Sequence, residues 1–209
     1  MQYIFIHGLG QKPSSWDKTI SFMEKPIHAA YPDLLVLLNS KEVTYANLYL
    51  AFSDYCKNIS EPLNLCGLSL GGVLALNYAL DYPERVQSLV LIGTQYKMPG
   101  TLLKFQNIIF RFMPESSFKN TGFQKKDTIQ LTNSMIDLDF SKKLKDISCA
   151  TLVLCGEKDG SNRKAAKSLA ENISGAKSQL IENANHEINV ENPQKLALEL
   201  ERFYQSFSI

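Results

Sequence analysis

The chain is poor in several features that would point to particular roles. Its four cysteines, Cys56, Cys66, Cys149 and Cys155, form no Cys-x-x-Cys pair and no spacing of a disulfide framework or zinc site. Each lies among apolar neighbours, where cysteine serves as a small buried hydrophobe. Charge of one sign is also lacking. With 22 Lys plus Arg against 21 Asp plus Glu, no net field draws nucleic acid or an anionic membrane. No apolar run reaches the length of a membrane span. The opening "MQYIFIHGLG" is too short in its apolar part, and too poor in basic residues, for a signal peptide. There is no internal repeat or low-complexity tract. The expectation is a cytoplasmic protein, monomeric or a homodimer, whose partner is a small molecule and not nucleic acid.

What is present describes an ordinary globular chain. Its 209 residues, 44% hydrophobic and 21% charged, suffice for one core, so residues 1–209 are expected to form a single domain. Short apolar runs at 3–7, 34–38, 63–66, 88–92, 151–155 and 178–181 read as strands and alternate with helical patterns. That order builds an α/β fold: a mostly parallel six-stranded sheet with helices on both faces, its strands near-continuously hydrophobic because both faces are covered. Tyr45, Leu48, Tyr49, Phe52, Cys56 and Ile59 make one helical stripe, and Ala166, Leu169, Ala170 and Ile173 a second. Asn192-Pro193 offers a helix start, with Leu196, Leu200, Phe203 and Phe207 along one face.

One stretch interrupts the alternation. From 96 to 147 there is no clear strand, and a structureless loop of that length is unusual in a compact domain, so a helical lid insertion is expected. Its Leu102, Leu103, Phe105, Ile108, Ile109, Phe110 and Phe112 are too many for one helix face. Phe105 and Ile109 are therefore candidate substrate-binding residues, together with Gly8 and Trp16 near the first strand.

The chemistry centres on "GLSLGG", residues 67–72. Gly-x-Ser-x-Gly alone is weak, with a chance probability of roughly 5–10% in a chain this long. Here it follows a strand and precedes a helix. A tight turn between the two projects the Ser69 hydroxyl outward and brings the flanking backbone so close that Gly67 and Gly71 can carry no side chain. The helix start also aims free N–H groups and a positive dipole end at the site.

A serine hydroxyl attacks only when a base takes its proton, and the chain has three histidines. His7 closes the first strand and His28 lies in a connecting loop. His186, just past the last strand, is at the correct sheet edge for the base. The carboxylate that orients it is Asp159, four residues past Cys155, with Glu157 as its competitor. For the oxyanion, backbone N–H donors are expected from Leu70, after the nucleophile, and from Leu9 in the "HGLG" loop.

These segments, "YIFIHGLGQKPSSW", "LCGLSLGGVLALNYALDYPERVQSLVLIGT", "ATLVLCGEKDG" and "NANHEINVENPQKLALELERFYQ", resemble the α/β-hydrolase superfamily in sequence and in order. The resemblance implies a nucleophile–acid–base series Ser69, Asp159, His186 and a lid after the strand that ends near Gly93. It also implies a sheet trimmed of the family's two leading antiparallel strands. The expected activity is cleavage of carboxylic esters with small or medium acyl chains through an acyl-serine, with no metal or organic cofactor. Thioester, amide or carbon–carbon cleavage by the same triad, and a non-catalytic ligand receptor, are the alternatives.

Overall fold

The computed structural model describes residues 1–118 and 122–207, and the side chains of Leu102, Phe105 and Gln106 lie outside that description. In chain order the elements are β1 (Gln2–Ile6), α1 (Asp17–Ser21), β2 (Ala29–Ala30), α2 (Leu34–Leu38), α3 (Tyr45–Lys57), β3 (Leu63–Leu68), α4 (Leu70–Asp81) and β4 (Val86–Ile92). They continue with α5 (Gly100–Phe112), α6 (Lys125–Ser134), β5 (Ala150–Gly156), α7 (Arg163–Asn172), β6 (Lys177–Ile181), α8 (Ile188–Glu191) and α9 (Pro193–Gln205). The six strands form one sheet in the order β2-β1-β3-β4-β5-β6, and every pairing in it is parallel.

Successive side chains of a strand leave opposite faces of a sheet, and here both faces are filled. Ile4, Leu65, Leu91 and Val153 join one buried cluster with α2, α3, α4 and α7, while Phe5, Cys66, Val90 and Leu154 join the other with Trp16, α8 and α9. The expected stripes are the packing faces: Leu48, Phe52 and Cys56 of α3, Leu169 of α7, and Leu196, Leu200 and Phe203 of α9 are buried. Asn192 caps α9 as its sequence suggests, accepting the Lys195 N–H at 3.3 Å. All four cysteines are free thiols, Cys149 half-buried and the rest buried.

One expected strand is a helix. Leu34–Leu38 forms α2, and the edge strand beside β1 is Ala29–Ala30 instead, pairing with Tyr3 and Ile4. The Asp33 carboxylate accepts the N–H groups of Leu35 and Val36 at 3.0 and 3.2 Å, and Asn39 ends the turn in the left-handed region at φ 45°. Leu34 and Leu38, one turn apart, are buried; Val36 between them is 72% exposed.

Residues 96–147 add no strand to the sheet among the described residues. The stretch is closed at its root by backbone bonds from Met98 to Leu138 and from Phe140 to Tyr96, at 2.9 and 2.8 Å. Beyond that root α5 packs on α6 through a polar contact. Asn107 is buried, donating to Asn133 Oδ1 at 2.7 Å and accepting from Thr132 Oγ1 at 2.5 Å. The far side of α5 leaves Ile108, Ile109 and Phe112 exposed.

Candidate active site

Strand order fixes where a site can form. The chain leaves β1 toward β2 on one side and returns to β3 on the other, which opens a crevice at the carboxyl ends of β1 and β3. The loops after β1, β3, β4, β5 and β6 carry His7 to Gln11, Ser69, Gly93, Asp159 and His186 respectively.

Ser69 stands between β3 and α4 with φ 53° and ψ −113°, a left-handed backbone that a serine rarely adopts. Its neighbours hold it there. The Ser69 N–H donates to the Ile92 carbonyl at 2.8 Å, and its own carbonyl accepts the Val73 N–H at 3.0 Å in the first turn of α4. A Cβ at Gly67 would run into the Gly71 carbonyl, and one at Gly71 would collide with the Ile6 carbonyl and sit 2.8 Å from that of His7. Both glycines are demanded by close backbone approach, as the motif suggests.

The acid and base candidates meet. His186 Nδ1 lies 2.8 Å from Asp159 Oδ2, with the carboxylate 4% exposed and the imidazole 37% exposed. Glu157 turns elsewhere, accepting the Asn183 N–H at 3.1 Å. Burial pushes the Asp159 carboxyl up. The hydrogen bonds from His186 and Asn162, the charge of His186 and the Asn162 backbone N–H outweigh it, so the carboxyl stays below its ordinary range and ionised. His186 lies against Gly93, where φ is +54° and a Cβ would come within 3.0 Å of Nδ1 and 3.1 Å of Cε1. His186 Nε2 and Ser69 Oγ make no hydrogen bond to a described residue. Bonds of that kind tighten when a substrate is present.

The N–H groups of Leu9 and Leu70 donate to no acceptor among the described residues, as groups waiting for an oxyanion would. Gly8 is also at the crevice, since a Cβ there would lie 3.5 Å from Ser69 Cβ. The loop holding Gly8 and Leu9 is tied at both ends. His7 is buried, with Nδ1 donating to the Gly8 carbonyl at 2.9 Å and Nε2 accepting the Leu34 N–H at 3.2 Å. Those partners require a neutral ring protonated on Nδ1. Gln11 pairs both ends of its amide with Asn189 at 3.1 Å, joining this loop to α8, just past His186.

Of the candidate substrate-binding residues, Trp16 is corrected. It is fully buried against Phe5 beneath the sheet, with ring centroids 5.2 Å apart, and offers no surface to a substrate. A lone tryptophan beside a glycine loop can serve either place; its apolar bulk decides for the core. Ile109 is 45% exposed on α5, and the side chain of Phe105 lies outside the described residues. Sequence reasoning missed Gln11, Gln95, Asn162 and Asn189. Asn162, three residues past Asp159, carried a local signal, whereas Gln11 and Asn189 are 178 residues apart and carried none. Among the described residues no group of three or more His, Cys, Asp and Glu side chains is placed to hold a metal ion.

Comparison with known proteins bears on the fold. Residues 57–116 match the alpha/beta hydrolase fold family. Monoacylglycerol lipase ABHD6 of Mus musculus is 21% identical over 243 residues, spanning 93% of this chain and 72% of that protein. Pimeloyl-(acyl-carrier protein) methyl ester esterase of Wigglesworthia glossinidia brevipalpis is 27% identical over 153 residues, 69% of this chain and 57% of that one. A thermophilic esterase from Thermogutta terrifontis superposes with a TM-score of 0.81 at 18% identity, over 99% of this chain and 90% of that structure. At that identity the likeness is one of fold.

Proposed function

We propose that this chain, which has the α/β-hydrolase fold and matches that family's model over residues 57–116, is a serine hydrolase cleaving carboxylic esters of small or medium acyl chains. The single observation that carries the reading is the strained Ser69 turn at φ 53° on the same sheet edge as a His186–Asp159 pair 2.8 Å apart. A half-buried serine is of no use in such a conformation unless its hydroxyl must be held at one point.

Ser69 Oγ attacks the carbonyl carbon and its proton passes to His186 Nε2. Asp159 keeps the ring's other proton on Nδ1 and stabilises the imidazolium. The tetrahedral oxyanion accepts from the N–H groups of Leu9 and Leu70, near the positive end of α4. Collapse breaks the ester C–O bond, and the departing alkoxide takes the proton from His186. Water, deprotonated by the same ring, then releases the acid and restores Ser69. In this reading residues 96–147 act as the lid, and the exposed Ile109 of α5 is the residue assigned to the acyl chain. The relatives named a lipase and a methyl ester esterase favour an ester over a thioester, an amide or a carbon–carbon bond.

The test is turnover of a p-nitrophenyl ester series of increasing acyl length. Ser69→Ala is expected to lower kcat by roughly 10⁴- to 10⁶-fold. Equal turnover by wild type and Ser69→Ala, or ligand binding without turnover in both, contradicts the assignment.

A further inference from the structure

We propose that Asn162 is a positioning residue for the Asp159–His186 pair, and that Gln95, at the root of the 96–147 segment, fixes the orientation in which Asn162 works. The proposal rests on the reading of Ser69, Asp159 and His186 as nucleophile, acid and base. Asn162 occupies the N-cap position of α7, where an asparagine ordinarily accepts a backbone N–H of its own helix, yet its side chain makes no such bond. It turns back toward the site. Asn162 Nδ2 lies 2.9 Å from Asp159 Oδ1, 2.8 Å from Asp159 Oδ2 and 3.2 Å from His186 Nδ1, and the side chain is nearly buried.

Which end of the amide faces the carboxylate follows from the donors. Gln95 Nε2 is 3.3 Å from the Ser161 carbonyl, which can only accept, so that end of Gln95 is the donor. The atom of Asn162 that it meets at 2.8 Å must then be the oxygen Oδ1. Asn162 Nδ2 is left for Asp159, an acceptor only.

The consequence is directional. Asp159 Oδ1 receives Asn162 Nδ2 and the Asn162 backbone N–H at 3.3 Å, which holds the carboxylate against rotation, so Oδ2 stays aimed at His186 Nδ1. With Nδ1 donating to Asp159, the amide 3.2 Å away is a donor facing a donor, and it opposes any swing of the ring toward α7. Gln95 directly precedes Tyr96, whose carbonyl accepts the Phe140 N–H in closing the root of the 96–147 segment. The orientation of the acid is thus tied to the base of the lid.

The experiment measures kcat and KM on p-nitrophenyl butyrate, and the rate of fluorophosphonate labelling of Ser69, for wild type, Asn162→Ala, Asn162→Asp, Gln95→Leu and the double variant Gln95→Leu/Asn162→Ala. Asn162→Ala is expected to lower kcat and labelling by about 10-fold, with KM little changed, as the loss of hydrogen bonds to a charged group implies. Asn162→Asp keeps the shape but replaces the donor with a second carboxylate, and is expected to be the slowest. A packing role would make this isosteric change the mildest, and that ranking overturns the proposal. Gln95→Leu, at a half-buried position, is expected to cost about threefold alone and nothing further beside Asn162→Ala. Independent, additive losses, or an unchanged kcat in Gln95→Leu, also overturn it. A wild type that neither turns over ester nor labels identifies failure of the hydrolase reading itself, separately from failure of the positioning role.

Discussion

Ser69 holds a backbone conformation that costs on the order of 1–3 kcal/mol for a residue with a side chain, and the cost is met by the packing of Gly67 and Gly71 against the strands beneath. Glycine at position 69 would relieve it, although its freer unfolded chain returns about 0.4–1 kcal/mol of that gain. Ser69→Gly is therefore expected to melt at or above Ser69→Ala, with ester turnover lost in both. Thermal melts decide, and a glycine variant less stable than the alanine variant contradicts the strain assigned to this turn. Gly93 is a different case, because its left-handed φ and its contact with the His186 ring act at one residue: the turn after β4 makes the space in which the His186 ring sits.

At the scale of elements, α2 and the loop after β1 depend on each other through His7. Burial lowers the His7 pKa below its ordinary value, although the Gly8 carbonyl and the charge of Asp33 pull it up. The unfolded chain then takes up a proton at higher pH than the folded one, so this contribution to stability is full above the ordinary histidine range and is lost as pH falls below it. Urea midpoints are expected to drop from about pH 7 to about pH 5, with a shallower slope in His7→Asn, which is itself less stable at neutral pH. An identical slope in the variant contradicts the neutral, doubly bonded ring. This element is also where the sequence was hardest to read. A five-residue run of Leu and Val fits a buried strand or a single helical turn equally, and the deciding signals were the flanking Asp33 and Asn39. Longer patterns were legible for the opposite reason: α3 and α9 repeat their apolar residues over several turns, and β3, β4 and β5 are mostly apolar because helices cover both faces. The placement of the candidates Ser69, Asp159 and His186 just past β3, β5 and β6 could be read from the chain. Gln95 is 67 residues from Asn162, and no local pattern announces such a pair.

Across the whole molecule, six parallel strands bring to one edge residues spread from His7 to His186. Both faces of the sheet are buried, and the 96–147 segment packs onto one of them through Phe123, Leu131, Met135, Phe140 and Leu144 while leaving an exposed apolar side on α5. Among the described residues no helix is long and apolar enough to cross a membrane. The central claim is that this edge makes Ser69 a nucleophile. Intact-mass analysis of the folded protein treated with a fluorophosphonate tests it most directly. One adduct per chain is expected, on the peptide carrying Ser69, absent in Ser69→Ala and slowed by on the order of 10³-fold in His186→Ala. No adduct in the wild type, or one that persists in Ser69→Ala, would contradict it.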